Sequence, residues 1–543
     1  MKKQLIVAAF LASSCSLAYA QGDKCPDIPA PSRTVFASAN EYATSNGFSI
    51  DAEGIVVFDY KTAYNNLGKY RNAYFVSNYA GALYRDYLGS ECSGEAFLNK
   101  FMLQANWLLS TGERRGDMLV WTYPFAQPVY GSRSGWISGI AQSRIAGIMQ
   151  RAFAITGDKK FHDAAEAAMR TYETDIRNGG VVTKDDEVTW IEEVADPDGK
   201  SFKILNGHIT ALAGILDFYQ VTKEPEWKAV FDRGIAAVKR DLPKFDAGFT
   251  SWYSLGSAVG PEIAARKDYN SLHVSQLLWL YAIAGDVDFL RYASHFQSYE
   301  FNDDRYTALG STNEKTHGPD QAKGIFGSAY WSHSVFPTWL QVTAPKAETF
   351  KGFAIFGSRN GDKAFPRDFR LLARSNGEWN QINAVEGNKG RQVEITFAEP
   401  VITDAFRLEI LSDNGNKNVA LQAAMPIRSE FTYGAVTNDC NYRATTDYNF
   451  DQALDLDPAK SMRVYCAGWV ILPLNGSKSL ELAGQGKDGA MFTLDYSDNL
   501  QDWEKSSEVP VQKDAQTIDL QARKFVRVSF KTNVELIDKL ILN

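Results

Sequence analysis

Tyr253 and Tyr269 raise the chemical question in this chain. They lie in Phe245–Leu255 and Lys267–Leu277, where one helix ends near Leu242 and Pro243 and another begins near Tyr269. Between them runs a turn-rich segment holding Asp246 and Gly248, whose residue types are turn chemistry. Side chains at helix ends can converge on a cleft, and two phenols there suit either a sugar-binding wall or proton transfer at carbon. An unaided phenol, with a pKa near ~10, is too weakly ionised to act as a base. Arg266 and Lys267 adjoin Tyr269 and are the cations expected to help it. His273 follows Tyr269 by one helical turn on the same side. It is either a proton shuttle or a buried, satisfied histidine.

Elements with two different periods must position these residues. From Tyr70 to about Phe301 the apolar period is helical, with helices expected over 73–88, 94–110, 136–156, 159–176, 202–222, 224–242, 270–284 and 286–298. Thr156-Gly157-Asp158 and Ala284-Gly285-Asp286 each close one helix with Gly and open the next with Asp. Thr222-Lys223-Glu224-Pro225 does the same with proline in the first turn. Repeated hairpins of this kind point to an incomplete α/α toroid of about four pairs with an open groove.

The longer loops carry Trp121, Tyr123, Phe125, Trp136, Trp190, Trp252 and Tyr253, together with Gln142, Arg144, Glu192, Glu193, Asn206 and His208. Around a toroid these positions would face the groove, and an aromatic-lined groove with scattered polar groups grips sugar rings. The competing expectation is that the aromatics plug the centre as plain core. Glu193, beside Glu192, would otherwise read as part of a solvated acidic turn.

The flanking sequence has a different character. Cys25 to Lys69 reads as a small β lead-in, with strand-like Gly54–Tyr60. Beyond Arg305 the period becomes two, with strands at Tyr330–Ser332, Pro337–Val342, Phe353–Ser358 and Ala405–Ile410. A second strand-rich region runs from Thr432 to Asn543, where Asp495–Trp503 echoes the turn at Arg374–Trp379. The expected fold class is therefore a multidomain α+β chain: 1–20 leader, 21–69 lead-in, 70–304 toroid, 305–428 first β-sandwich and 429–543 second β-sandwich.

With 543 residues the chain is too long for one core. Its net charge of -8 argues against nucleic acid, and an anionic polymer would need locally placed cations. Met1–Ala20 has Lys2, Lys3, an apolar run from Leu5 to Ala12, and Ala18-Tyr19-Ala20, the pattern of a secretory signal peptide. The residues before Cys15 fit a lipoprotein signal poorly. No later run has the length of a membrane span, so the expected location is secreted or periplasmic. Cys25, Cys92, Cys440 and Cys466 would pair within their own regions, as Cys25–Cys92 and Cys440–Cys466. No Cys-x-x-Cys or His-x-x-x-His spacing marks a zinc site.

Several blocks, in order, resemble the C-terminal catalytic region of the glucuronyl C5-epimerases. These are Gly135–Gln142, Trp190–Val194, Ile204–Gly207, Leu242–Gly248, and the stretches around Tyr253 and Tyr269. Tyr70–Asn72 and Ser77–Tyr79 match further upstream. The resemblance implies removal of the C5 hydrogen of a uronate within a polymer and its return on the opposite face. It places Glu193, Tyr253 and Tyr269 at the family's catalytic Glu and two of its Tyr positions. Trp121, Tyr123, Trp136, Gln142, Arg144, Trp190, Asn206, His208, Arg266 and His273 are the expected substrate-binding set, with Arg144 clamping the uronate carboxylate.

The departures are Val194 at a further catalytic Tyr position, with no Pro after it, Gly256 where the family often has Arg, Asn270 in place of a His, and His208 in place of an aromatic. They leave open a uronate lyase, which shares the first step, and a non-catalytic glycan binder. Residues 305–427 are similar to discoidin-type β-sandwiches, which imply glycan or surface binding and are compatible with a structural calcium. The chemistry itself calls for no cofactor. The expected partner is a uronic-acid-containing polysaccharide, and the family resemblance leans toward a homodimer.

Overall fold

A computed structural model describes residues 25–31, 38–185, 188–248, 250–257, 262–299, 306–311, 317–322, 330–357, 362–428, 433–436, 462–463, 467–531 and 533–543. The leader over 1–20 and the Cys440–Cys466 pairing lie outside the described residues. Cys25 and Cys92 are disulfide-bonded. No described helix is long and apolar enough to cross a membrane.

The lead-in contains a short helix, Ala39–Thr44, and a three-stranded antiparallel sheet of Phe48–Ile50, Val56–Asp59 and Lys69–Tyr70. Eight longer helices follow: α1 Ala73–Gly89, α2 Glu95–Thr111, α3 Gly139–Thr156, α4 Lys159–Met169, α5 Leu205–Thr222, α6 Pro225–Asp241, α7 Lys267–Ala284 and α8 Val287–Tyr299. They pack as the pairs α1/α2, α3/α4, α5/α6 and α7/α8, and the first members of successive pairs lie against one another in chain order. Gly157 and Gly285 close α3 and α7 with φ of 67°, the left-handed conformation that other residues resist. Asp158 caps α4 by accepting from the Lys160 amide at 3.1 Å.

α3, α5 and α7 are buried over most of their length, whereas α4 and α6 bury one face only. A buried Arg151–Asp217 ion pair, 3.0 Å, ties α3 to α5, and the Arg151 guanidinium also donates to the Pro29 carbonyl.

A seven-stranded antiparallel sheet follows, built around two long strands, Thr338–Gly357 and Gln392–Asp413, that pair along most of their length. Its apolar core is continuous with that of the helices; Trp252 meets Phe356 edge to face at 5.7 Å. The last region is a sandwich of a five-stranded and a four-stranded sheet enclosing their own core. It docks on α7, where the Tyr281 hydroxyl donates to the Leu500 carbonyl and accepts from the Trp503 indole.

Candidate active site

The first helices of the pairs share a common end. Tyr74 lies in the first turn of α1, Gly139 opens α3, Asn206 and Gly207 lie in the first turn of α5, and Tyr269 lies in that of α7. The positive ends of helix dipoles therefore face the same region, which favours an anion there. The hairpin Val182–Asp185/Val188–Ile191 delivers Glu192 and Glu193 to it.

Those two carboxyls diverge. Glu192 is fully buried and accepts from Thr183 Oγ1, Ser201 Oγ and the amides of Phe202 and Lys203, at 2.5–3.1 Å. It is a structural fastener for the loop into α5. Glu193 packs against Gly207, where a Cβ would overlap its Oε2 and Cβ, so only glycine lets the acid lie this close to α5. Its Oε2 is sealed from solvent without a hydrogen-bond partner. Burial alone pushes this carboxyl up to about 7. Glu193 therefore does not lie in a solvated turn.

Facing it are Tyr253, on the short strand Trp252–Ser254, and Tyr269. Their rings meet edge to face at 4.7 Å. Both phenols feel the Glu193 charge. Burial and that charge hold Tyr253 well above the usual phenol range. Tyr269 is pushed up to about 12 by burial, Glu193 and Asp268, against the opposing pull of Arg266. Arg266 does pull this phenol down as expected, but burial and the two carboxylates outweigh it, so the phenol is not brought toward neutral pH. Its guanidinium does sit 5.5 Å from the ring centroid, but it is exposed and paired with Asp268 at 2.7 Å. An arrangement of this kind can donate a proton from either phenol and accept one at Glu193.

The structure adds two phenols. Tyr130 belongs to a small apolar cluster that Tyr253 packs against, and it feels the Glu193 charge. Tyr74 feels both Arg144 and Glu193. Neither belongs to a recognisable motif; only the first-turn position of Tyr74, matching that of Tyr269, hinted at it.

Much of the expected binding wall is interior: the Trp121 and Trp136 indoles bond to backbone, and the Trp136 and Trp190 rings stack on neighbouring side chains. The Trp121 indole donates to the Leu108 carbonyl at 2.9 Å. Trp136 donates to Phe125 at 2.8 Å and stacks on Tyr123 at 4.1 Å. Trp190 stacks on His208 at 4.2 Å. Gln142 is consumed by the Leu119 carbonyl and the Trp121 amide. His208 bridges the Ile191 amide and the Gly234 carbonyl, and burial lowers its pKa to about 4. All six side chains are buried, so the assignment of Trp121, Tyr123, Trp136, Trp190, Gln142 and His208 to a groove surface is corrected.

His273 is also interior rather than a shuttle at the cleft. It pairs with Ser251 Oγ at 2.7 Å, and burial lowers its pKa to about 3. Asn206 and Arg144 are buried, Asn206 with its Oδ1 unpartnered and Arg144 close enough to Tyr74 to oppose part of the rise that burial imposes on that phenol. Asn270 accepts from the Ser251 amide and hydroxyl and donates to the Phe296 carbonyl. It thereby fixes the loop carrying Tyr253 to the helix carrying Tyr269. Asp246 is likewise a structural group, 2.9 Å from His295 Nδ1 and accepting from the Tyr299 hydroxyl. The one cluster of three potential metal-ligating side chains among the described residues is Glu166, Glu224 and Glu226, far along the chain from the sandwich for which a calcium was entertained.

Comparison with known proteins agrees with this division. Residues 115–298 match the family model for the D-glucuronyl C5-epimerase C-terminus, and residues 307–425 match that for the F5/8 type C domain. An uncharacterized protein of Methanocaldococcus jannaschii is 29% identical over 210 residues, covering 36% of this chain and 66% of that protein. A D-glucuronyl C5-epimerase of Caenorhabditis elegans is 26% identical over 226 residues, covering 38% of this chain and 36% of that enzyme. The match thus spans 66% of one relative and about a third of the other. Among solved structures, a family 32 carbohydrate-binding module from Streptococcus pneumoniae EndoD aligns with 23% of this chain and 96% of the module, at 21% identity and a TM-score of 0.22. The corresponding module of Clostridium perfringens NanJ, in complex with galactose, aligns at 15% identity over 23% of this chain and 96% of the module, with a TM-score of 0.22.

Proposed function

We propose that this chain is a C5-epimerase acting on glucuronate residues of an extracellular or periplasmic polysaccharide, on an open α/α toroid. The observation that carries the reading is the unpaired Glu193 carboxyl, raised to about 7, opposite two phenols that remain protonated.

A C–H beside a carboxylate is a feeble acid, so the base must be ionised near neutral pH and the nascent enediolate must be neutralised. Glu193 removes the C5 proton from one face. Tyr253 or Tyr269 returns one on the other, and the remaining hydroxyl donates to the enediolate. The positive ends of α5 and α7 supply the fixed dipoles that hold the uronate carboxylate. Those dipoles answer the objection raised by the net charge of -8. Proton removal and return need no cofactor.

The F5/8 type C region, as a glycan-holding module, would keep the polymer at the cleft. The Cys25–Cys92 disulfide and the leader-like start support a location outside the cytoplasm.

A uronate lyase is the second reading. Val194, beside Glu193, is apolar and buried, so no phenol flanks the base on that strand to recapture the carbanion. The two are separated by incubating the protein with a panel of uronate polymers. Inverted C5 centres in intact chains support the epimerase, whereas new ultraviolet absorbance from unsaturated ends supports the lyase. Binding without either product would leave a glycan-binding protein and refute both.

A further inference from the structure

Asn72 ties the lead-in to the mouth of the cleft. Its Oδ1 caps α1 by accepting from the Tyr74 amide at 2.9 Å, and it also accepts from the buried Tyr123 hydroxyl at 3.2 Å. Its Nδ2 donates to the Tyr60 hydroxyl at 2.8 Å. The loop from Tyr60 to Tyr70 is thus held at the helix end that carries Tyr74. The rings of Tyr64, Tyr60 and Tyr70 surround Phe125, with centroids at 4.5, 5.7 and 5.8 Å. Phe125 lies in the small apolar cluster against which Tyr253 packs, and Tyr64, Leu67 and Tyr70 are, like Tyr253, partly exposed at its rim.

Folding leaves features of this loop unused. The Tyr70 hydroxyl has no hydrogen-bond partner among the described residues, although its ring is half-buried against Phe125. A polar group in apolar surroundings is costly until a partner arrives. Residues 61–70 hold two lysines, Lys61 and Lys69, and no acid. Both are exposed, and neither forms an ion pair among the described residues. The Tyr64 hydroxyl donates to Gln127 Oε1 at 3.1 Å, and its backbone holds a φ of 51°, followed by 60° and 62° at Asn65 and Asn66. Such left-handed backbone is unfavourable outside glycine and persists where surrounding contacts enforce it. Here the Tyr60 amide closes the loop on the Gly68 carbonyl at 2.9 Å, which fixes where the Tyr64 ring sits.

We propose that this loop is a second sugar subsite. The Tyr64 ring stacks on the uronate residue next to the reacting one, the Tyr70 hydroxyl donates to that sugar, and Lys61 and Lys69 draw in the anionic chain. This rests on the uronate-polymer reading of the cleft. An aromatic ring backed by Phe125 suits the C–H face of a pyranose. Cations local to the loop offset the net charge of -8.

The test reads affinity rather than turnover, by calorimetry of the full chain with glucuronate oligosaccharides of rising length. Wild type should gain affinity as the chain grows past the reacting residue. Tyr70→Phe removes one oxygen that no described residue binds, so its melting temperature should match wild type. Tyr64→Gly removes the ring and suits the left-handed backbone. Each should weaken the longer oligosaccharides about 2- to 10-fold and leave the shortest unchanged. Lys61→Gln with Lys69→Gln should also weaken the longer members and flatten their dependence on salt. Weakening at every length alike would mark a structural role and overturn the proposal. Unchanged affinity in the variants, or no binding by wild type at any length, would overturn it as well. If the variants weaken as expected but no C5 deuterium appears, the epimerase reading falls and the subsite stands. If C5 exchanges while the variants bind every length as wild type does, the subsite falls and that reading stands.

Discussion

Glu192 and Glu193, adjacent on one strand end, occupy opposite electrostatic surroundings. Glu192 accepts four hydrogen bonds, while Glu193 leaves Oε2 with none, against the bare Cα of Gly207. Successive side chains in extended backbone point to opposite sides, so one acid fastens the loop and the other is presented to the cleft.

Removing that acid should show in both rate and stability. The rate should rise with pH about a midpoint near 7, the value to which burial raises Glu193. Glu193→Gln should abolish that limb together with activity. For stability, the folded state holds the proton up to about pH 7 while the unfolded state releases it near 4.5. Wild type therefore loses stability as pH rises from 4.5 to 7, and the loss is complete above 7. At 1.36 kcal/mol per unit the cost is on the order of 3–4 kcal/mol, less whatever cleft solvent screens. Denaturant melts should show Glu193→Gln gaining on wild type at pH 8 and matching it near pH 4.

Gly207→Ala tests the placement of Glu193 without touching a polar group. The added methyl must displace the carboxyl. A shift of about 1 Å at a reacting group can cost about 100-fold in rate. Steady-state kinetics should show that loss in kcat, with far-ultraviolet circular dichroism unchanged.

Tyr253→Phe and Tyr269→Phe should each lower kcat by about 100- to 10,000-fold, the range for a general acid. Affinity for the polymer, measured by calorimetry, should barely move. Equal losses in affinity and rate would instead mark the phenols as a binding wall.

His208 should be structural. It is neutral, bridging the Ile191 amide and the Gly234 carbonyl, with its pKa lowered to about 4 by burial. The unfolded chain takes up the proton near 6.5, so this residue's share of stability declines as pH falls from 6.5 to 4. His208→Leu should cost about 1–3 kcal/mol for each orphaned backbone group at pH 7 and remove that pH dependence, read from urea melts.

Reducing Cys25–Cys92 should also destabilise the helical region. The bond closes a sequence separation of 67, worth about 4 kcal/mol by loop entropy. Cys25→Ser with Cys92→Ser should show the same loss in guanidinium melts, insensitive to added thiol.

The helices were legible because their boundaries are local chemistry. Gly157, Asp158 and Gly285 announce ends and starts, and the observed spans follow the apolar period to within three residues, except that α4 ends at Met169, seven residues short of the expected 176. The switch to strands beyond the helices was legible for the same reason. The aromatic loops were not. Trp121, Trp136 and Trp190 sit at helix mouths in sequence, but the Trp121 and Trp136 indoles donate to the Leu108 and Phe125 carbonyls and the Trp190 ring stacks on His208. No periodicity encodes that. Tyr74 and Tyr130 were missed because they join the cleft through packing of segments far apart in the chain. Glu193, Tyr253 and Tyr269 were singled out by resemblance, and their convergence required coordinates.

The central claim is that Glu193 and the facing phenols exchange the C5 proton of a polymeric uronate. The direct measurement is proton and carbon-13 NMR of glucuronate-containing polymers incubated with the protein in heavy water. The account predicts deuterium appearing at C5 of unbroken chains with wild type and none with Glu193→Gln. Absence of C5 deuterium across the panel, or equal incorporation with Glu193→Gln, would contradict it.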